Sequence, residues 1–370
     1  MHYPEKILCA QARLPKPSSL SHVMRILVTG GAGYVGRHVA LALHRAGHEV
    51  ELLDSLVRGT MDDVKELEQE AGARFPLHLI DVWLEAGPLK RLFLHRAFDA
   101  VVHLAGVKPG PGQSRPPGQC FAIEMAGTCN VVACMEAGGC TQLVTCSSDS
   151  VYGRREDGAR AWKEEDWPAH AGRPCSAYGV AKDAVERMLV HLGSSWSIRI
   201  LRCPEVVGAL ATGGLRDTDD AGIITRMLRA THGAPFHVHD GDETTPDGSG
   251  VRDYVHVSDA AAAHVCAVNE LVKGGVDHYN VGTGKGTSVW QLLVGLQRVA
   301  GASIPCTGVP TIGDGNLGVR LADPRKLRRE LGWSARHGIR EICEHALAAH
   351  KKVSTESNGS GTRGASVGPD

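Results

Sequence analysis

A tyrosine and a lysine at helical spacing are the most reactive pair that the sequence offers. Tyr178 and Lys182 occur in the segment Tyr-Gly-Val-Ala-Lys, so on a helix both side chains would lie on one face. A tyrosine with an ordinary pKa of about 10 is a poor base at neutral pH. A neighbouring ammonium group favours the phenolate, so the pair could remove a proton from an alcohol. Ser148 could hydrogen-bond the same hydroxyl group and orient it.

A glycine-rich turn near the start of the chain predicts a cofactor for this proton chemistry. The turn follows an apolar run and contains three evenly spaced glycines, Gly30, Gly33 and Gly36. Such glycines allow a tight turn, let the backbone approach a pyrophosphate and let the next helix pack closely, and the helix N-terminus supplies free N–H donors. Asp54 ends the next apolar run, where a carboxylate can accept hydrogen bonds from an adenosine ribose.

The choice of cofactor follows from the charge of Asp54. A carboxylate at this place repels a 2′-phosphate, so we expect NAD rather than NADP, although Arg58 nearby argues weakly in the other direction. A positively charged nicotinamide ring would also favour the Tyr178 phenolate. The predicted chemistry is therefore the transfer of a hydride from and to an alcohol carbon.

Each motif alone has an ordinary structural explanation. The glycines could form a purely structural turn, and Tyr178 and Lys182 could be a surface pair. The occurrence of both, with Ser147-Ser-Asp-Ser-Val-Tyr-Gly153 between them, favours the functional interpretation.

Strand-like and helix-like segments alternate through the first half of the chain and would position these motifs. The strand-like runs are Arg25–Thr29, Glu49–Leu53, Leu77–Ile80, Asp99–His103, Gln142–Cys146 and Ile198–Leu201. The clearest helical patterns are Tyr34–Ala46, Ala122–Ala137 and Ala177–Leu192. Apolar strands joined by helices predict an α/β fold with a doubly wound parallel sheet, the Rossmann arrangement.

The pattern loosens after Gly208, where polar, glycine-rich stretches separate further helical segments. We expect these helices at about Ile223–Thr231, Asp259–Leu271, Val289–Ala300 and Pro324–Leu331. The predicted organisation is an N-terminal tail at 1–23, an NAD-binding domain at 24–203, a smaller α/β substrate lobe at 204–352 and a disordered tail at 353–370.

Composition excludes several other classes of protein. The net charge is −1 over 370 residues, so no global field favours nucleic acid or an anionic membrane. No apolar run approaches the roughly 20 residues needed to span a bilayer, and the N-terminal segment lacks the apolar region of a secretory signal. The 11 cysteines include no C-x-x-C pair and indicate reduced thiols in a cytoplasmic protein. We see no cluster of metal ligands.

The spacing Gly-x-x-Gly-x-x-Gly resembles that of the extended short-chain dehydrogenase/reductase family. His103-Leu-Ala-Gly-Val-Lys108 resembles the cofactor motif of the family's fourth strand, and Asp81-Val82 resembles its adenine-contacting pair. Besides the three glycines, Asp54, Tyr178 and Lys182, the resemblance implies cofactor contacts from Tyr34, Val35, Ser55, Asp81, Val82, Leu104, Ala105, Gly106 and Lys108.

Within that family the chain resembles the UDP-glucose (UDP-galactose) 4-epimerases from about Met24 to Lys352. The most specific segment is Thr245-Pro-Asp-Gly-Ser-Gly-Val-Arg-Asp-Tyr-Val-His-Val-Ser-Asp259. The resemblance implies that Arg252 binds the pyrophosphate of a UDP-sugar, with Ser148 and Tyr178 at the sugar, and it implies transient oxidation at sugar C4. A guanidinium group suits a pair of phosphate oxygens, although Arg252 could instead pair with Asp253. A homodimer is compatible with the resemblance.

Three positions depart from the epimerase pattern. Glu124 stands where the family has an asparagine near the nicotinamide, Glu205 where an asparagine contacts substrate, and Thr311 where a second phosphate-binding arginine is expected. Additional carboxylates and a missing cation weaken affinity for a dianionic diphosphate. The alternatives are therefore another NAD-dependent nucleotide-sugar epimerase, dehydratase or reductase, or a catalytically inactive NAD-binding sensor. Asp149 is not the Asp-Glu pair of the dehydratases, which makes that option weaker.

Overall fold

The computed structural model of the chain describes residues 22–108, 116–153, 161–167, 174, 176–218, 222–231, 233–310 and 318–359. The strands are β1 (Arg25–Thr29), β2 (Glu49–Asp54), β3 (Leu77–Leu79), β4 (Ala100–His103), β5 (Gln142–Ser148), β6 (Ser197–Cys203), β7 (Glu205–Val207), β8 (Phe236–Asp240), β9 (Val251–His256), β10 (Gly275–Asn280), β11 (Gly286–Ser288), β12 (Cys306–Pro310) and β13 (Val319–Arg320).

The helices connect these strands, and short 3-10 turns add to them. The α-helices are α1 (Tyr34–Arg45), α2 (Met61–Ala71), α3 (Ala86–His95), α4 (Pro117–Phe121), α5 (Gly127–Ala137), α6 (Ala177–Val190), α7 (Ile223–Arg229), α8 (Val257–Asn269), α9 (Val289–Ala300), α10 (Arg325–Leu331) and α11 (Ile339–Gly359). A π-helical segment, Ala122–Ala126, joins α4 to α5. A 3-10 turn, Asp149–Tyr152, follows β5.

A seven-stranded parallel sheet lies at the centre of the molecule, with the order β10-β6-β5-β4-β1-β2-β3. The chain winds outward from β1 in one direction through β2 and β3 and in the other through β4, β5 and β6. This order confirms the predicted doubly wound Rossmann sheet. The direction of winding reverses between β1 and β4, and open sheets of this type bind ligands at that crevice.

Helices cover both faces of the sheet because its strands are apolar on both sides. On one face α1, α2 and α8 pack through residues such as Val39, Val64 and Val265. On the other face α3, α5 and α6 pack through residues such as Leu89 and Val131. The two apolar layers fix the sheet in position, so the carboxyl ends of its strands form one rigid edge.

A smaller unit follows β6 in the chain. Here β9 pairs with β7, β11 and β13, while β8 pairs with β12. Its own apolar core includes Met227, Val238 and Leu296 and lies between α7, α9 and α11. The prediction of Val289–Ala300 as a helix matches the structure at both ends.

The two regions predicted as separate segments are interleaved in space. β10 and α8 belong to the central sheet and its helix layer, although both come from the part of the chain predicted to form the substrate lobe. Helix α11 continues through Gly359, so it extends into the tail predicted to be disordered at 353–370. The predicted N-terminal tail lies mostly outside the described residues, as does the end of the chain beyond Gly359.

The sequence led us to expect no apolar run long enough to span a bilayer, but one helical segment has that length and composition. Pro117–Ala137 has 21 residues and is long and apolar enough, by length and composition alone, to cross a membrane. A helix that packs in a protein core passes the same test. Val131 and Met135 of this segment are fully buried against the central sheet, which is the core-helix arrangement.

Candidate functional site

The glycine turn lies at the reversal point of the sheet, between the ends of β1 and β4. Gly30 has φ +70°, and a Cβ atom there would lie 2.8 Å from the backbone nitrogen of Ala105. A Cβ on Gly36 would lie 2.0 Å from the Gly30 carbonyl oxygen, whereas one on Gly33 would meet that oxygen at 3.2 Å. The turn is thus a bare backbone surface ahead of the N-terminus of α1, which is the shape that a pyrophosphate requires.

Asp54 ends β2 beside this turn. Its carboxylate accepts hydrogen bonds from the backbone N–H groups of Ala32 at 3.0 Å and Leu56 at 2.8 Å. Burial raises the pKa of Asp54, and these backbone hydrogen bonds oppose that effect. The carboxylate is therefore held between the glycine turn and the residue after Ser55, where it was predicted to bind a ribose.

Four other predicted cofactor residues have contacts or positions that the structure defines. Tyr34 begins α1 and donates a hydrogen bond from its hydroxyl to the Gly208 carbonyl at 2.7 Å, so its side chain is directed toward the second unit. Val35 follows it in α1. Asp81 accepts from the Trp83 backbone N–H at 2.8 Å. Val82 is buried next to it.

The loop after β4 forms the opposite wall of the crevice. Leu104 donates from its backbone N–H to the Thr29 carbonyl at 3.0 Å, which ties this loop to the end of β1. Ala105 follows Leu104 beside Gly30, whereas Gly106 lies against the Glu124 carboxylate. Lys108 lies at the end of the described part of the loop and is half-exposed.

Tyr178 and Lys182 lie on one face of α6, as the spacing predicts. The Lys182 Nζ atom is 5.7 Å from the centre of the Tyr178 ring and donates a hydrogen bond to the Cys146 carbonyl of β5 at 3.1 Å. Ser148 ends the same strand and is buried, with its Oγ 3.0 Å from Ser150 Oγ. A Cβ on Gly179 would lie 2.7 Å from the Ser150 carbonyl oxygen, so only glycine lets α6 pack this closely on the turn after Ser148.

The electrostatic environment of Tyr178 combines burial with one attractive charge. Burial raises the pKa of the Tyr178 hydroxyl well above its ordinary value, and the Lys182 ammonium acts in the opposite direction. Burial alone would lower the pKa of Lys182, but the negative charges of the Glu124 carboxylate and the Tyr178 phenolate raise it. Lys182 therefore remains an ammonium group throughout the physiological range of pH.

Glu124 is ion-paired with Lys182, at 2.8 Å between Oε2 and Nζ. Its other oxygen, Oε1, accepts from the Val107 backbone N–H at 3.0 Å. The residue is only 2% exposed. The resemblance implied that Glu124 lies near the nicotinamide, but the pairing with Lys182 was not predicted. The ammonium group of Lys182 compensates the negative charge that we expected to repel a diphosphate.

Arg252 lies on β9 and is the register partner of Arg320 on β13. Arg252 Nη1 donates to the Val251 and Gly318 carbonyls, each at 2.8 Å. Asp253 is directed elsewhere and accepts from Thr283 and Gly284. Burial and the nearby Arg320 charge lower the pKa of Arg252 to about 10.

Arg320 connects this pair of arginines to the turn that follows β5. Its Nε atom is 3.4 Å from Asp149 Oδ2, and its Nη1 atom is 3.4 Å from Ser150 Oγ. Asp149 directly follows Ser148. No motif in the sequence points to Arg320, because only the pairing of β13 with β9 brings it beside Arg252.

Glu205, the second carboxylate that departs from the epimerase pattern, is also paired. Lys108 Nζ is 2.8 Å from Glu205 Oε1, so the ion pair joins the loop after β4 to β7. Burial would raise the pKa of Glu205, but Lys108 lowers it to about 2. Thr311, the third departure, lies outside the described residues.

These features define a class of protein. A doubly wound parallel sheet with a bare glycine turn at its reversal point and a Tyr–Lys pair at the same edge is the arrangement of a nicotinamide-binding α/β enzyme. Residues 26–282 match the model of the NAD dependent epimerase/dehydratase family, and the chain belongs to that family.

Comparison with individual proteins gives a narrower similarity. The chain is 34% identical over 329 residues to UDP-glucose 4-epimerase 4 of Oryza sativa subsp. japonica, covering 86% of this chain and 88% of that protein. It is 32% identical over 330 residues to UDP-glucose 4-epimerase of Bacillus subtilis (strain 168), covering 86% and 95%. The crystal structure of UDP-glucose 4-epimerase from Stenotrophomonas maltophila with bound NAD and formylated UDP-arabinopyranose has a TM-score of 0.82 at 30% identity, covering 90% and 99%. The resemblance found in the sequence is thereby confirmed.

Proposed function

We propose that the chain is an NAD-dependent UDP-glucose/UDP-galactose 4-epimerase, an isomerase that acts by transient oxidation at sugar C4. The observation that carries the proposal is the position of Tyr178 and Lys182 beside the end of β5, where Arg320, the register partner of Arg252, also contacts Asp149. Similarity to UDP-glucose 4-epimerases over most of both chains supports the same substrate class.

The residues of the crevice fit NAD. Side chains at Gly30 or Gly36 would collide with neighbouring backbone, so this turn stays free of side chains, and α1 begins directly behind it. Asp54 supplies a carboxylate for the adenosine ribose and disfavours a 2′-phosphate. When bound, NAD supplies the hydride acceptor for sugar C4 and the source from which the hydride is returned.

Tyr178 carries the proton chemistry in this proposal. Its phenolate accepts the proton of the sugar 4-hydroxyl and returns it when the 4-keto sugar is reduced on its other face. The Lys182 ammonium stabilises the phenolate, and Ser148 orients the hydroxyl from the end of β5. Since the proton and hydride both return, the reaction has no net oxidation.

The substrate is held through its charged part. Arg252 and Arg320 are register partners whose positive charges act on each other, and two neighbouring guanidinium groups suit the diphosphate of a UDP-sugar. Because Glu124 pairs with Lys182 and Glu205 with Lys108, neither carboxylate is an uncompensated charge toward that diphosphate.

Two measurements on the purified chain test the proposal. Released cofactor is identified by mass spectrometry, and UDP-glucose and UDP-galactose are incubated separately without added NADH. We expect NAD and interconversion of the two sugars. Protein that holds no NAD and converts neither sugar contradicts the proposal, whereas retained NAD without turnover on a panel of nucleotide sugars supports the inactive sensor instead.

Two finer points belong to the same proposal. We place the enzyme in the cytoplasm, since all nine cysteines among the described residues are free thiols. The assembly that the resemblance suggests is a homodimer, and light scattering of the purified chain would distinguish it from a monomer.

A further inference from the structure

The environment of Glu124 is unusually constrained for an acidic residue. It lies in the middle of the π-helical segment Ala122–Ala126, and such segments are often found at functional sites. A Cβ on Gly106 would lie 2.7 Å from its Oε1, so the glycine of the loop after β4 leaves just enough room for the carboxylate. The position of the Glu124 carboxylate is therefore limited by the π-helical segment that carries it and by the loop at Gly106.

The segment that carries Glu124 is tied to the glycine turn by buried polar contacts. The Glu124 carbonyl accepts from Thr128 Oγ1 at 2.7 Å, and Thr128 Oγ1 is 3.1 Å from His103 Nε2. His103 Nδ1 in turn is 2.7 Å from Thr29 Oγ1, at the end of β1. This chain of contacts holds the backbone of Glu124 at a fixed position relative to β1 and β4.

We propose that Glu124 is a positioning residue for the reaction: its carboxylate fixes the Lys182 ammonium and offsets part of the charge that Lys182 presents to Tyr178. The two contacts that carry this are the 2.8 Å ion pair to Lys182 Nζ and the 3.0 Å hydrogen bond from the Val107 backbone N–H. At 2% exposure the carboxylate is little screened by water, so it acts on its neighbours at close to full strength. The inference rests on the proposed function for its kinetic consequence only.

The consequence is a shift of the working pH range. A negative charge near Tyr178 disfavours its phenolate, so Glu124 raises the pKa of Tyr178. The enzyme then needs a higher pH before Tyr178 can act as a base. The direction agrees with the pKa of Tyr178, which burial raises, Lys182 lowers and Glu124 raises again. An uncharged residue at this position therefore makes the enzyme active at lower pH.

Other ionisable groups also face the Tyr178–Lys182 pair. They are the thiols of Cys146 on β5 and Cys203 on β6, with His264 of α8 beside Cys146 and the buried imidazole of His103 on β4. None of them changes when Glu124 is replaced. A difference between two proteins that vary only at Glu124 therefore reports the charge of that residue.

The experiment compares Glu124→Gln with the wild type in two ways. The first is the pH profile of kcat/KM for the sugar interconversion, whose acidic limb we expect to move down by about one pH unit. The second is an absorbance titration of tyrosinate in the NAD-loaded protein, with the Tyr178→Phe background subtracted for each form. We expect the Tyr178 midpoint to move in the same direction as the kinetic limb.

Two further variants complete the design. Glu124→Asn introduces the asparagine that the epimerase pattern has at this position, and it should shift the pH profile and the Tyr178 midpoint in the same direction as Glu124→Gln. Asp63→Asn is the matched control, because Asp63 of α2 is similarly buried and is paired at 3.0 Å with Arg37 of α1, and this variant should leave both profiles unchanged.

The results separate this inference from the proposed function. An unshifted Tyr178 midpoint in both Glu124 variants overturns the inference, and so does loss of NAD or of folding in both, since that would assign Glu124 a purely structural role. Absence of turnover in the wild type would contradict the epimerase proposal only. The inference about Glu124 could still be tested, because the tyrosinate titration needs no substrate.

Discussion

Arg252 and Arg320 are register partners on two adjacent parallel strands, with their guanidinium groups close enough that the charge of one lowers the pKa of the other. Two like charges held side by side destabilise each other unless an anion lies between or beside them. Asp149 and Glu205 supply part of that compensation. A diphosphate would supply the rest, so this pair is where we expect the affinity for a nucleotide sugar to arise.

Replacing either arginine with alanine should raise KM for the UDP-sugar by about 10- to 100-fold, as expected for loss of a charge-assisted hydrogen bond. Arg252→Ala should affect kcat much less than KM. Steady-state kinetics at saturating and limiting substrate measure both quantities. Arg340→Ala, which removes an exposed arginine paired with Glu344 on α11, is the control and should change neither. Less than a twofold change of KM in both site variants would exclude a diphosphate at this pair.

Tyr178→Phe should lower kcat by about 10²- to 10⁴-fold, because a phenyl ring cannot accept the proton of the sugar hydroxyl. Retention of NAD is expected, since the bare backbone of the glycine turn is untouched. Progress curves and mass analysis of the released cofactor provide the two readouts. Substantial turnover by this variant would mean that another group is the base.

Stability should fall as the pH is lowered, because of buried histidines. Burial lowers the pKa of His38 and of His103 to about 3, whereas an unfolded histidine binds a proton below about pH 6.5. The unfolded chain therefore takes up protons that the folded chain does not, and stability present above pH 6.5 is lost progressively toward pH 3. Between pH 7 and pH 5.5 each histidine should lower the free energy of unfolding by about 1 kcal/mol. Urea unfolding at the two pH values measures the change.

His103→Gln should remove its share of that pH dependence, and His95→Gln, at an exposed position of α3, should not. If the His103 variant shows the same difference between pH 7 and pH 5.5 as the wild type, the buried imidazole is not the origin of the effect.

The buried ion pair between Glu186 of α6 and Arg202 of β6 should be sensitive to loss of one partner. Glu186 and Arg202 are both fully buried, and Arg202 also donates to the Tyr152 hydroxyl at 2.8 Å. Glu186→Gln leaves the guanidinium charge buried without its carboxylate, so the free energy of unfolding should fall by about 3 kcal/mol. Chemical denaturation measures it. Glu344→Gln breaks only the exposed pair with Arg340 and should cost less than about 1 kcal/mol.

The local part of the fold was predictable from the sequence. The alternation of apolar strands and helices predicted the doubly wound sheet, and the helix at Val289–Ala300 was predicted at both ends. Its signals are short-range, namely a Ser288 cap and helical spacing of apolar residues. The glycine turn and the pair Tyr178–Lys182 were predictable for the same reason, since spacing alone places them.

The remaining part depends on contacts between distant segments. The pairing of Glu124 with Lys182 requires the π-helical turn, which no residue pattern announces. Arg320 becomes part of the site only through the pairing of β13 with β9. The sequence does not show which residue pairs with Glu124, so we expected its charge to repel a diphosphate. In the fold, Lys182 forms an ion pair with Glu124 and compensates that charge.

The interleaving of the chain has a consequence for how the protein is made. The central sheet receives β10 only after residue 280 has been synthesised, and α8 completes the helix layer over α1 shortly before that. Until then β6 is an open edge whose backbone groups can pair with another chain. In a nascent chain on the ribosome, or in a fragment ending at residue 203, β6 therefore has no partner strand on the side that β10 later covers. We infer that a fragment ending at residue 203 would lack both β10 of the central sheet and α8 of its helix layer, so genetic fusions should leave the chain intact through Asn280.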